Sequence, residues 1–137
     1  MLPRIQQEDI PVTIKPTRFG LSCAIVTPMQ PGGGLDLPRL VHHARFVLAN
    51  GCDSITLFGT TGEGAGIGLP ARDRMVGAVV GAGVDPARQL LLGVSAASLH
   101  EAIDQGKIAV DNGCRGILLA PPFYFKGIDD DGLFAWH

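Results

Sequence analysis

Long apolar runs are missing from this 137-residue chain. No stretch approaches the ~20 consecutive apolar residues that a membrane span needs. The opening segment, MLPRIQQEDIPVTIKPTRFG, has no continuous apolar core of the signal-peptide kind. A dominant charge is missing too. With a formal net charge of −2, no basic run and no interleaved aromatics, nothing offers a footprint for nucleic acid or an anionic membrane. Cysteine is sparse. Cys23, Cys52 and Cys114 are three in number and far apart, which excludes close metal-binding pairs and a dense disulfide scaffold. They read as small buried hydrophobes in a reducing cytoplasm. His42, His43, His100 and His137 offer no pair at metal-ligand spacing, so no metal is expected. Aromatic residues are 6% of the chain, so aliphatic side chains must build the core.

What is present is a series of short apolar runs: Leu21–Thr27, Ser54–Phe58, Gln89–Val94 and Gly116–Ala120. None alternates polar with apolar, as expected for parallel strands covered on both faces. Between them lie segments of helical period. Asp36 and Pro38 open a first helix whose inner face is Leu37, Leu40, Val41, Ala44 and Leu48, and Asn50-Gly51 closes it. The second runs over Pro70–Gly81 and buries Met75, Val76, Val79 and Val80. The third begins at the capping box Ser98-Leu99-His100-Glu101, and Leu99, Ala102, Ile103, Gly106 and Val110 form its expected inner face. A fourth starts near Asp130 or Asp131. Asn-Gly-Cys precedes both the second and the fourth strand, at Asn50–Cys52 and Asn112–Cys114, which suggests a repeated βα unit.

Alternating strands and helices mean a parallel sheet with right-handed crossovers. An open doubly wound sheet and half of a (β/α)8 barrel both satisfy that pattern, and both place function at the C-terminal ends of the strands. The loop Gly59-Thr60-Thr61-Gly62-Glu63-Gly64 is the richest of these ends. Its glycines and hydroxyls can converge on a small anion such as a carboxylate, while a tight turn that binds nothing satisfies the spacing equally well. It is neither a Walker A loop nor a dinucleotide fingerprint, since no Lys-Ser/Thr follows and Leu69 stands at the third glycine position. Tyr124, the one tyrosine, follows the fourth run. It can relay a proton there or pack as a rim aromatic with Phe123 and Phe125.

Taken in order, Ala24-Ile25-Val26-Thr27-Pro28, Gly59-Thr60-Thr61-Gly62-Glu63, Pro122-Phe123-Tyr124 and Asp131-Gly132-Leu133-Phe134 resemble the motifs of the dihydrodipicolinate synthase and N-acetylneuraminate lyase family. The resemblance runs from about Phe19 to the last residue and implies a TIM-barrel fold of the α/β class. About four βα units are present, a half-barrel over residues 19–137 behind a leader at residues 1–18. It further implies that Thr61, helped by Gly59 and Gly62, binds the carboxylate of pyruvate or a related 2-oxo acid. Thr60 would serve a proton relay, and Tyr124 would reach across a dimer interface in a homo-oligomer, a dimer of dimers.

In that family a lysine on the sixth strand forms a Schiff base and a tyrosine after the fifth acts as general acid/base. Neither strand lies within the chain. Of Lys15, Lys107 and Lys126, only Lys126 falls near the expected mouth, in an acidic loop unsuited to lowering its pKa. The expectation is therefore a lyase of the Schiff-base aldolase type, needing no cofactor, cut short before its nucleophile and inactive alone. A non-catalytic half-barrel that associates with other chains is the alternative. A small open-sheet module that binds an anion is a third reading, and the aldehyde partner is left open.

Overall fold

Four strands, β1 (Ser22–Ala24), β2 (Ser54–Leu57), β3 (Leu90–Val94) and β4 (Gly116–Leu119), form one parallel sheet in the order β1-β2-β3-β4. They belong to a computed structural model that describes residues 19–137; the expected leader lies outside the described residues. Each strand falls inside one of the apolar runs. The strand order separates the two architectures. A doubly wound sheet reverses direction part-way along its order, whereas these strands follow one another without reversal, as consecutive strands of a barrel do.

The helices are α1 (Leu37–Ala49), α2 (Leu69–Gly81), the short α3 (Pro86–Gln89), α4 (Leu99–Asp111) and α5 (Asp130–Trp136). Among the described residues, none is long and apolar enough to cross a membrane. The capping expected from sequence is in place. The Asp36 carboxylate accepts from the Arg39 amide at 3.0 Å, and the Ser98 hydroxyl accepts from the Glu101 amide at 3.2 Å. The Asn-Gly-Cys echo is a repeated helix stop. Gly51, Gly83 and Gly113 all take positive φ, and the amides that follow reach back five residues, from Cys52 to Val47, Val84 to Val79 and Cys114 to Ala109. The same stop thus occurs a third time after α2, where Ala82 replaces the asparagine and hides the repeat from a motif search.

Strand register assigns the two faces of the sheet. Cys23, Ile55 and Leu90 share one level, Leu57 and Leu92 another, and all five pack against the helices. There they meet Leu40 and Ala44 of α1 and Met75, Val76 and Val79 of α2. Each large aliphatic side chain buried in this layer contributes about 1.5–3 kcal/mol. The opposite face carries Ser22, Ala24, Ser54, Thr56, Leu91 and Gly93, smaller and more polar, as on the inward side of a barrel.

Two expectations fail. The inner face of α4 is Ala102, Gln105 and Ala109, while Leu99, Ile103 and Val110 are exposed. Small residues let this helix lie close to β3 and β4. Its larger side chains turn sideways, where Leu99, Ile103 and Gly106 line a shallow apolar cleft with Ile117 and Trp136. The cysteines are free but half-exposed rather than buried, and burial still pushes the Cys114 thiol above its ordinary value.

Candidate functional site

An open groove of about 390 Å³ lies at the C-terminal ends of β2, β3 and β4, lined by Gly59, Thr60, Gly64, Ser95, Leu118 and Ala120 among others. Its floor begins at Phe58, where the strand geometry stops. Phe58 has φ +63°, a left-handed conformation that bulky residues rarely adopt. The turn takes its ring out of strand alternation and into the helix-side core. Its carbonyl comes so close to Gly64 and Gly93 that a Cβ at either position would collide with it, so both must be glycine as the backbone stands.

The loop beyond Phe58 is tied by its own backbone. The Gly59 carbonyl accepts from the amides of Gly62 and Gly64, both at 3.1 Å, and the Thr60 carbonyl accepts from Glu63 at 3.1 Å. The Thr27 hydroxyl donates to the Gly62 carbonyl at 2.7 Å, which ties the loop to the end of the first apolar run. Gly62 itself is buried, and a Cβ there would lie 2.8 Å from the Ile25 carbonyl. Among the described residues, Thr60 and Thr61 stand apart: both are exposed, and neither their amides nor their hydroxyls donate to protein. Two adjacent residues therefore present four free donors at the end of β2.

Of the residues singled out from sequence, Gly59 and Thr60 line the groove, whereas Thr61 and Gly62 are not among its lining residues. Gly62 holds the turn, its amide engaged with Gly59. Tyr124 is not a groove residue. It is 72% exposed and edge-to-face with Phe125 at 5.4 Å, and the preceding Phe123 is exposed as well. Lys126 is exposed and donates to the Phe123 carbonyl at 3.3 Å, and Lys107 pairs with Asp104 at 3.0 Å on α4. Neither lysine is part of the groove. No group of three metal-binding side chains occurs among the described residues.

Two buried polar residues that sequence reading passed over support the groove from below. Gln105 of α4 accepts from the Ser95 amide at 2.9 Å and donates to the Ser95 carbonyl at 3.2 Å. Arg72 of α2 is 1% exposed and donates to the carbonyls of Ile67, Gly93 and Gly64 at 2.8, 2.8 and 2.6 Å. Its guanidinium also lies 4.5 Å from the centre of the Phe58 ring. A signal existed for both. Arg72 precedes Met75, Val76 and Val79 by helical spacing, and Gln105 sits between Ala102 and Ala109, so each is a long polar residue on a buried stripe.

Comparison with known proteins gives a consistent result. Residues 18–133 match the model of the dihydrodipicolinate synthetase family. A 4-hydroxy-tetrahydrodipicolinate synthase of Saccharophagus degradans is 36% identical over 118 residues, which cover 86% of this chain and 40% of that protein. An N-acetylneuraminate lyase of Rattus norvegicus is 29% identical over 118 residues, 85% of this chain and 37% of that protein. The crystal structure of dihydrodipicolinate synthase from Agrobacterium tumefaciens superposes with a TM-score of 0.83 at 49% identity, over 87% of this chain and 41% of that one. The chain thus spans about 40% of the length of such relatives.

Proposed function

Because this chain belongs to the dihydrodipicolinate synthetase family, a family of lyases and aldolases of TIM-barrel fold, we propose that its groove is the carboxylate-binding part of a 2-oxo-acid site. Pyruvate or a close relative is the substrate. The observation that carries this reading is the set of free donors on Thr60 and Thr61 at the C-terminal end of β2. Barrel strands place their chemistry at that end, and N–H and O–H groups left free of protein acceptors suit a carboxylate. Thr61 binds the acid with the Thr60 amide beside it. The Thr60 hydroxyl belongs to a proton relay, with Gly59 and Gly62 shaping the turn.

The reaction is imine formation between a lysine amine and the keto carbon, which makes the lysine adduct the electron sink and requires no cofactor or metal. Lys107 and Lys126 are unsuited to it: each is exposed, bonded to a local partner and outside the groove. None of β1–β4 carries a lysine, so the lysine that completes the site is to be supplied from elsewhere, and these four strands are expected to bind the acid without turning it over. Tyr124 fits a residue that acts on a neighbouring subunit, being exposed and outside its own groove. A cytoplasmic setting suits the free thiols of Cys23, Cys52 and Cys114.

Titration of the 15N-labelled chain with pyruvate tests the binding step. The Thr60 and Thr61 amide signals are expected to move in a saturable way, and T60V/T61V is expected to weaken binding at least tenfold. Signals that stay still at saturating pyruvate would overturn the assignment. A second reading, association without catalysis, is favoured by the exposed Val26, Ile117 and Leu118 at the sheet edges. Sedimentation at several concentrations would separate a stable assembly from a monomer.

A further inference from the structure

Arg72 is the one cation among the largest fully buried side chains, and nothing in the proposed reaction uses it. A guanidinium withdrawn from water is costly unless each N–H finds an acceptor. Here no carboxylate forms an ion pair with it among the described residues, where the only ion pairs are Arg39–Asp36 and Lys107–Asp104. Instead three backbone carbonyls converge on it from two segments: Gly64 and Ile67 in the turn after Thr60-Thr61, and Gly93 in β3. Gly64 and Gly93 both line the groove.

We propose that Arg72 is the positioning residue of this groove, clamping the turn after β2 onto β3 so that the Thr60 and Thr61 donors are held exposed at the end of β2, and setting a positive charge beneath it. The inference rests on the carboxylate reading above for the purpose of the clamp, but the clamp itself is defined by geometry alone. Three features make the guanidinium the fitting group. Its planar array of donors spans carbonyls from three directions, which a lysine ammonium cannot do while keeping the Phe58 ring against its face. Hydrogen bonds from a charged donor are shorter and stronger than neutral ones, in keeping with the 2.6 Å bond to Gly64. And the left-handed Phe58, whose carbonyl is wedged between Gly64 and Gly93, is a strained backbone that persists only where its surroundings hold it. Burial pulls the Arg72 pKa down to about 10, opposed by the charge of Glu101, so the group remains a cation at neutral pH. That cation favours an anion at the groove without touching it.

Amide hydrogen exchange, read with and without pyruvate in the wild-type chain, R72K and R72Q, tests the clamp. The loop amides of Gly62, Gly64 and Ile67 are hydrogen-bonded and so report on the turn. In R72K, which keeps the charge but loses the planar array, exchange at these three is expected to rise roughly tenfold, the effect of losing about one charge-assisted bond. Core amides such as those of Ile55 and Leu92 should keep their wild-type rates. Pyruvate binding should weaken in R72K and weaken further in R72Q, which loses the charge as well. Unchanged loop exchange in R72K, or a rise spread evenly over loop and core, would overturn the proposal. If R72Q does not fold, R72K decides alone. If the wild-type chain fails to bind pyruvate, the carboxylate reading falls, while the loop-against-core contrast still decides for or against the clamp.

Discussion

The two inner strands and the two outer strands of this sheet are written in the same apolar vocabulary and meet different fates. Every residue of β2 and β3 is buried. Along β1 and β4 none is, and Leu118 of β4 is 57% exposed although it stands level with the buried Gly93 of β3. Burial in a singly wound sheet is conferred by a neighbour on each side, and an edge strand has only one. The contrast also places the groove. Its floor, from Phe58 through Gly64 to Gly93, is built on β2 and β3, where both neighbours exist, and its outer wall at Leu118 and Ala120 belongs to the edge. The proposed carboxylate end of the site is thus carried by the part of the chain that is fully packed.

The largest expected effect compares leucines. Leu92, 1% exposed, is expected to cost about 3 kcal/mol as L92A, while L118A should cost less than about 0.5 kcal/mol in chemical denaturation. An equally large loss at Leu118 would show that another surface covers β4 in solution and would dissolve the contrast. Glycines sharpen it next. G93A forces a methyl against the Phe58 carbonyl and should lose about 1–3 kcal/mol, whereas G116A, with open space around it, should change stability little. Equal losses in both would contradict the wedge, because the entropy change of glycine to alanine by itself favours folding.

Serines give a difference of sign. Ser54 of β2 is fully buried and its hydroxyl has no partner, so S54A is expected to stabilise by up to about 1 kcal/mol. Ser22 on β1 lies 3.3 Å from the Thr56 hydroxyl, and S22A should destabilise by about 0.5 kcal/mol. Matching signs would mean that Ser54 finds a partner after all. The smallest effect concerns pH. The folded Arg72 pKa of about 10 lies below the ordinary guanidinium value, so the unfolded chain binds the extra proton only between the two. The contribution of this group therefore rises with pH in that alkaline window and is flat below it. Between about pH 5 and 9, wild type and R72Q, which has no titrating group at this position, should show parallel stability profiles, and a divergence there would mean that Arg72 titrates near neutrality.

Much of this architecture is legible before any coordinates. Parallel strands announce themselves as unbroken apolar runs, and caps such as Asp36, Ser98 and Asn112-Gly113 act within one helical turn, so local chemistry suffices to find them. The short α3 had its own signal, Asp85 capping ahead of Pro86, but four residues give no period to read. The face of α4 was not legible, because two apolar stripes compete on it and the choice depends on how near the sheet lies. Nor was the left-handed turn at Phe58, which no propensity favours and which exists because Gly64, Gly93 and Arg72 surround it. For the same reason the motif pointed to the Gly59–Gly64 loop but could not show that Gly62 holds the turn while Thr60 and Thr61 keep their donors free.

The central claim is a division: these strands bind the acid, and the nucleophile lies elsewhere. Borohydride reduction of the 137-residue chain with pyruvate, read by intact and peptide mass spectrometry on a sample whose Thr60 and Thr61 amides respond to pyruvate, tests it most directly. The account predicts an unmodified mass. A reduced pyruvate adduct on Lys15, Lys107 or Lys126 would contradict it, because the chain would then carry both the binding and the bond-forming parts of the site.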